Sequence, residues 1–195
     1  MAKAKRRKNV KQKGSAFERE ICHAFSKWWT KGKRDDIFWR SQTSGGRATN
    51  RSKEGKRTEG QYGDMCAADP TGSPLIDVFT IEIKRGYNNA TPIDLIDRPT
   101  VPKSCVLTNW IAKIRECVEY ESGSLSWMIV HKRDQRVPMV YMETIAHLEL
   151  LALGCLLMDP HCFISKDGEA RFYCTTLENF FASVKPKHIK ELSCT

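Results

Sequence analysis

Apolar side chains recur at helical spacing near the start of the chain. Phe17, Ile21, Ala24, Phe25 and Trp28 fall on one stripe, which predicts an amphipathic helix over residues 15–29. Ser15 is suited to cap it, and Glu18, three residues on, completes a capping-box spacing. Residues 37–40 then read as a short strand. Residues 42–63 carry almost no apolar side chains and predict a long polar loop, of the kind that is usually functional or disordered. Residues 64–68 read as a strand, 69–74 as a turn and 76–84 as a second strand, which together predict a hairpin.

The pattern then changes period. Residues 86–104 contain three prolines and read as irregular. Leu107, Ile111, Ile114, Cys117 and Val118 share one face of a helix expected over residues 107–121. Strands follow at 125–131 and 137–142, separated by a polar turn. The order helix, three strands, helix, two strands predicts an α/β domain with a mixed central sheet. A helix near 144–153, a hairpin at 162–175 and a last helix near 177–184 predict an α+β extension packed on that core. The expected organisation is therefore a basic arm (residues 1–13), a core (14–142) and a C-terminal extension (143–195), with no internal repeat.

Composition narrows the partner. At 195 residues, with 41% hydrophobic and 28% charged residues, the chain is an ordinary globular length and mixture. Its net charge of +9 is not ordinary, and phosphates attract Lys and Arg regardless of sequence, so a nucleic acid is the simplest partner. The charge is also concentrated. Residues 3–13 hold seven basic side chains and no acidic one, and Lys31, Lys33, Arg34, Arg40, Arg47, Arg51, Lys53, Lys56 and Arg57 crowd the next basic stretch. The arm is expected to stay disordered until a phosphate backbone arrives.

No apolar run reaches membrane-spanning length, and the basic start is not followed by an apolar signal core. The expectation is a cytoplasmic protein that is neither secreted nor membrane-bound. The eight cysteines form no C-x-x-C pair and read as reduced thiols. Cys155, His161, Cys162 and Cys174 cluster in sequence, but their spacing matches no common zinc pattern.

The candidate chemistry sits on Ile81-Glu82-Ile83-Lys84. Alternation along a strand puts the isoleucines on one face and Glu82 and Lys84 on the other. A solvated face with a simple ion pair is one reading of Glu-x-Lys. The other is a carboxylate metal ligand beside a lysine that positions or activates a water. Phosphodiester cleavage needs charge neutralisation and a hydroxide near neutral pH, and Mg²⁺ held by one to three carboxylates supplies both. On strand parity Asp64 is preferred over Asp77 as a partner of Glu82, because Asp77 lies an odd number of residues away. On the first helix Glu18 lies about 60° from the centre of the apolar stripe, nearer the core than Glu20 at about 100°. A buried carboxylate needs a partner, and a backbone cap at Ser15 or a metal site would each serve.

These residues carry a resemblance. Lys13-Gly14-Ser15-Ala16-Phe17-Glu18-Arg19-Glu20-Ile21, Ser44-Gly45-Gly46, Gly63-Asp64 and Glu82-Ile83-Lys84 together resemble the PD-(D/E)xK nuclease superfamily, and within it the archaeal-type Holliday-junction resolvases. Similar cores occur in phage and mobile-element proteins. The resemblance covers about residues 13–142 and implies a restriction-endonuclease-like core. It implies that Glu18, Asp64 and Glu82 bind Mg²⁺ (with Mn²⁺ as a substitute), that Lys84 assists the attacking water, and that Ser44 touches the scissile phosphate. Gly63 stands where the family usually has proline, and the loop between Ser44 and Asp64 is longer and more basic.

Arg40, Ser44, Gly45, Gly46, Arg47, Arg51, Lys53, Lys56 and Arg57 are then the candidate DNA contacts, the glycines letting backbone N–H groups approach a phosphate. Trp28, Trp29 and Trp39 suit either core packing or stacking on bases, while Trp110 and Trp127 read as core, and His23 and His131 as structural. The expected activity is metal-dependent endonucleolytic cleavage of branched DNA. The alternatives are a nickase or restriction-type enzyme on linear duplex, and a DNA-binding module without activity. A junction is two-fold symmetric, so a homodimer is expected, with the apolar segment 144–158 as one candidate surface beside plain core burial.

Overall fold

A computed structural model describes residues 10–41, 62–95, 105–165 and 171–194. The expected arm up to residue 9 and the loop carrying Ser44, Gly45, Gly46, Arg47, Arg51, Lys53, Lys56 and Arg57 lie outside the described residues.

The first helix, α1, spans Val10–Trp29. It starts five residues before the expected Ser15, which therefore sits inside the helix and is not its cap. Lys11, Gln12 and Lys13 are good helix formers, and Gly14 costs only about 1 kcal/mol in a helix interior, too little to stop a helix that packs well. Phe17, Ile21, Cys22, Phe25 and Trp29 are buried along it. Strands β1 (Phe38–Arg40) and β2 (Met65–Ala67) form an antiparallel pair. A buried hydroxyl ties this pair to the helix: Ser26 Oγ donates to the Cys22 carbonyl at 2.8 Å and accepts from the Phe38 N–H at 2.9 Å.

The expected hairpin does not form. Residues 73–78 make a short helix, α2 (Ser73–Val78), before strand β3 (Phe79–Arg85). A short, mostly apolar stretch such as Leu75-Ile76-Asp77-Val78 fits either a strand or a helix. Here Pro74 favours the first helical turn, and Leu75 and Val78, three apart, bury the same side. Asp77 thus belongs to a helix, so parity along a strand does not apply to it.

Helix α3 (Val106–Cys117) follows and continues into a π-helical turn at Val118–Ser122. Strands β4 (Ser126–Lys132) and β5 (Met139–Glu143) come next, then α4 (Thr144–Ala152), β6 (His161–Ile164), β7 (Arg171–Thr176), α5 (Leu177–Ser183) and α6 (Pro186–Leu192). The last helix was not expected. Pro186 opens it, and His188 Nδ1 accepts from the Lys185 N–H at 3.1 Å, a cap made by residue types that give little sequence signal.

Five strands form one mixed sheet in the order β3-β4-β5-β7-β6. The β3–β4 pair is parallel, bridged by α3, and the other pairs are antiparallel. The C-terminal hairpin expected to pack on the core instead extends its sheet. Alternation divides the two faces. Ile81, Ile83, Met128, Val130, Val140 and Met142 share a core with α1 and the C-terminal helices, and Trp127, Ile129, Tyr141, Phe172 and Cys174 share one with α3. β4 is covered on both sides, hence its unbroken apolar run Trp127–Val130.

Trp28 stacks on Phe181 at 5.2 Å and donates to the Val184 carbonyl, and Trp29 donates to the Thr71 carbonyl, so both serve packing. Trp39 is 45% exposed. His23 bonds the Asp35 carbonyl and His131 that of Gly86, the structural partners their sequence context did not reveal.

Ser26→Ala should lower unfolding free energy by about 1–3 kcal/mol, because it strands the buried Phe38 N–H. Chemical denaturation measures this, and an unchanged stability would show that β1 is anchored elsewhere.

Candidate active site

β3 is the edge of the five-stranded sheet, and Asp64 closes that edge. The Asp64 N–H donates to the Ile81 carbonyl at 2.8 Å, and its carboxylate Oδ2 accepts from the Ile83 N–H at 2.8 Å. The carboxylate thus stands where a neighbouring strand's carbonyl would be. On its other side, the Asp64 carbonyl accepts from the Ser41 N–H at 3.1 Å, and Ser41 Oγ donates to the Gly63 carbonyl at 2.6 Å. Gly63 makes the approach possible. Its φ is +73°, and a Cβ there would lie 2.5 Å from the Ile81 carbonyl oxygen. Proline, with φ locked near −65°, does not fit this backbone.

Glu82 and Lys84 leave β3 on the α3 side, in register with Ile129 and His131 of β4. The Lys84 ammonium bonds the Glu82 carboxylate and lies 3.5 Å from Asp64 Oδ2. Asp64 and Glu82, separated by seventeen intervening residues, therefore share one cation. Burial and the neighbouring Asp64 push the Glu82 carboxyl above its ordinary value, against the pull of Lys84. Burial works to discharge Lys84, but Glu82 and Asp64 outweigh it and hold the ammonium up at about 12. Lys84 is thus held as the ammonium while Glu82 and Asp64 are its partners.

Glu18 approaches from the other side. α1 packs on the Ile81 and Ile83 face, and Glu18 reaches toward the end of β1, where Arg40 Nε donates to its Oε2. Both side chains are largely covered, at 15% and 26% exposed. Beneath them Cys22 is fully buried, and burial, reinforced by Cys66 and Glu18, pushes its thiol up to about 12. Glu20 instead lies 62% exposed near Lys132. Among the described residues no three His, Cys, Asp or Glu side chains converge as a group able to hold a metal ion. The arrangement is two carboxylates joined by Lys84, with a third carboxylate held by Arg40.

The structure brings Asp64, Glu82 and Lys84 together and sets Glu18 against Arg40, with supports that the sequence does not show. Nothing in the sequence marks Ser41, which is 97% buried and bonds Gly63 and Asp64 at once. Nor did it pair Arg40 with Glu18. A basic flank was missed as well: the Arg85 guanidinium and the Lys132 ammonium both lie over the Phe17 ring, at 5.7 and 5.9 Å, one residue beyond Lys84 and His131.

A family model described as phage putative PDDEXK endonuclease matches residues 9–191. The chain belongs to this family. It is therefore a phage-type member of the PD-(D/E)xK superfamily, and the match runs through β6, β7 and the last helices as well as the edge strand. No curated protein and no solved structure matches the chain.

The carboxylates of Asp64 and Glu82 are chemically suited to a hard divalent cation. Mg²⁺ is typically held by one or two carboxylates and keeps most of its waters. Asp64 and Glu82 already converge on a cation, the Lys84 ammonium, and all their donor atoms are oxygens.

Gly63→Ala should cost at least about 1–3 kcal/mol from its positive φ alone, and the contact with Ile81 should push β2 away from β3. Unfolding free energy measured by denaturant titration tests this. Wild-type stability in the variant would contradict the close approach.

Proposed function

We propose that this PDDEXK protein is a Mg²⁺-dependent DNA endonuclease whose active centre is Asp64, Glu82 and Lys84, completed by Glu18. The convergence of Asp64 and Glu82 on one cation at the edge of β3, in a chain of an endonuclease family, carries the reading. Mn²⁺ would replace Mg²⁺. When bound, the cation would neutralise charge on the scissile phosphate and make a hydroxide available near neutral pH.

The remaining work falls to the chain's own residues. Asp64 is held by the Ile83 N–H, so its carboxylate needs no ordering when substrate arrives. Glu82, now bonded to the Lys84 ammonium, would be a ligand of the metal ion. Lys84, freed from Glu82, would stand beside the attacking water and assist its attack. Arg85 and Lys132, over the Phe17 ring, lie on the α1 side of the sheet, the face opposite Glu82 and Lys84. Ser44 would contact the scissile phosphate, and Arg47, Arg51, Lys53, Lys56 and Arg57 would follow the strand.

The substrate proposed is branched DNA, cut by a homodimer. The partner surface proposed is α4, whose Ile145, Leu148 and Leu151 are exposed in a chain segment where apolar residues normally seek cover.

Glu82→Ala should abolish cleavage while leaving DNA affinity nearly unchanged, since removing a carboxylate also relieves repulsion of phosphate. A gel assay with junction, flap, nicked and linear DNA in Mg²⁺ tests both points. Residual cutting by the variant would refute the site, and preference for linear duplex would refute the branched substrate.

A further inference from the structure

The Glu18–Arg40 pair is the one arrangement in this region that a metal-binding site alone does not explain. Glu18 is expected to serve the cation, yet its carboxylate bonds the Arg40 guanidinium. Arg40 is the last residue of β1, and the chain passes from it through buried Ser41 into the basic segment beyond residue 41. In sequence it thus stands at the start of the segment richest in basic residues.

Charge supplies the argument. Glu18, Asp64 and Glu82 carry three negative charges, and Arg40 and Lys84 carry two positive ones. Among the described residues these five charges sum to one minus. A divalent cation overshoots neutrality by one, and the single negative charge of a phosphodiester restores it. Inside a partly covered site such imbalances are costly, because the low local dielectric strengthens like-charge repulsion. The cation and the phosphate therefore favour one another's entry, and a mobile positive side chain is needed to pass from carboxylate to phosphate.

We propose that Arg40 is that positioning residue: it neutralises Glu18 in the DNA-free protein and transfers its guanidinium to a DNA phosphate when the cation takes Glu18. The proposal rests on the metal-dependent reading above. A planar guanidinium matches either oxyanion, through paired N–H donors to carboxylate or to phosphate, which suits it to such an exchange. Arg40 in this role suppresses metal binding in the absence of DNA and couples metal binding to DNA binding. Such coupling is reciprocal: whatever factor DNA adds to metal affinity, metal adds to DNA affinity.

The test is calorimetric titration of the full chain with Mn²⁺, alone and on a four-way junction carrying hydrolysis-resistant phosphorothioate linkages. Wild type should bind Mn²⁺ about tenfold more tightly on DNA than off it, within the range usual for coupled sites. Arg40→Met, with Arg40→Gln as a second variant should the first fail to fold, should bind Mn²⁺ more tightly than wild type without DNA and lose most of the DNA-induced gain. Arg40→Lys should keep the gain. A merely structural Arg40 would lower the melting temperature while leaving the coupling intact, and that result overturns the proposal. An unchanged or weaker DNA-free Mn²⁺ affinity in Arg40→Met overturns it too, while the endonuclease reading stands. If wild type binds no Mn²⁺ with or without DNA, both readings fall.

Discussion

The site depends on how closely β2 approaches the edge of β3. An edge strand presents unpaired N–H and C=O groups, which must be met by a further strand, by water or by side chains. Here one residue meets two of them: Asp64 gives its N–H to the Ile81 carbonyl and its carboxylate to the Ile83 N–H. The same bonds that finish the sheet also aim a carboxylate at Glu82 and Lys84. Folding and preorganisation of the acidic pair are one event, and Gly63, at φ +73°, is the residue that lets the chains come together.

Charge balance follows from that geometry. Burial, and after it the neighbouring Asp64, raises the Glu82 carboxyl, and Lys84 answers both. Glu18, arriving on α1 from the opposite face, is answered separately by Arg40. Lys84 thus serves Asp64 and Glu82 together and Arg40 serves Glu18, so a dication binding here would displace a bonded side chain.

Much of this could be read from the sequence, and the reasons it could be read are local. The α1 stripe, the α3 face and the alternation of Ile81, Glu82, Ile83 and Lys84 are short-range periodicities, and each survives in the structure. Ser15 was misplaced because capping residue types also fit helix interiors, and the helix runs back to Val10. Residues 76–78 are helical where a strand is expected, because so short a stretch, with Asp77 between Ile76 and Val78, does not distinguish strand from helix. Asp64 was chosen over Asp77 by a parity argument whose premise failed for Asp77, yet Asp64 does lie at β3, through backbone bonds that parity does not describe. Ser41, the Arg40–Glu18 pair and the Phe17 flank join residues far apart in the chain, and only tertiary structure brings them together. The junction of β7 to β5 is of the same kind, since nothing local says that a late hairpin will extend the central sheet.

The central claim is that Asp64 and Glu82 form a cation site whose place Lys84 now takes. The most direct measurement is anomalous scattering from a crystal of the protein soaked in Mn²⁺. The account predicts a peak within ligand distance of the Asp64 and Glu82 carboxylates, with the Lys84 ammonium moved off Glu82. A saturating soak that leaves Lys84 on Glu82, with no peak between the two carboxylates, would contradict it.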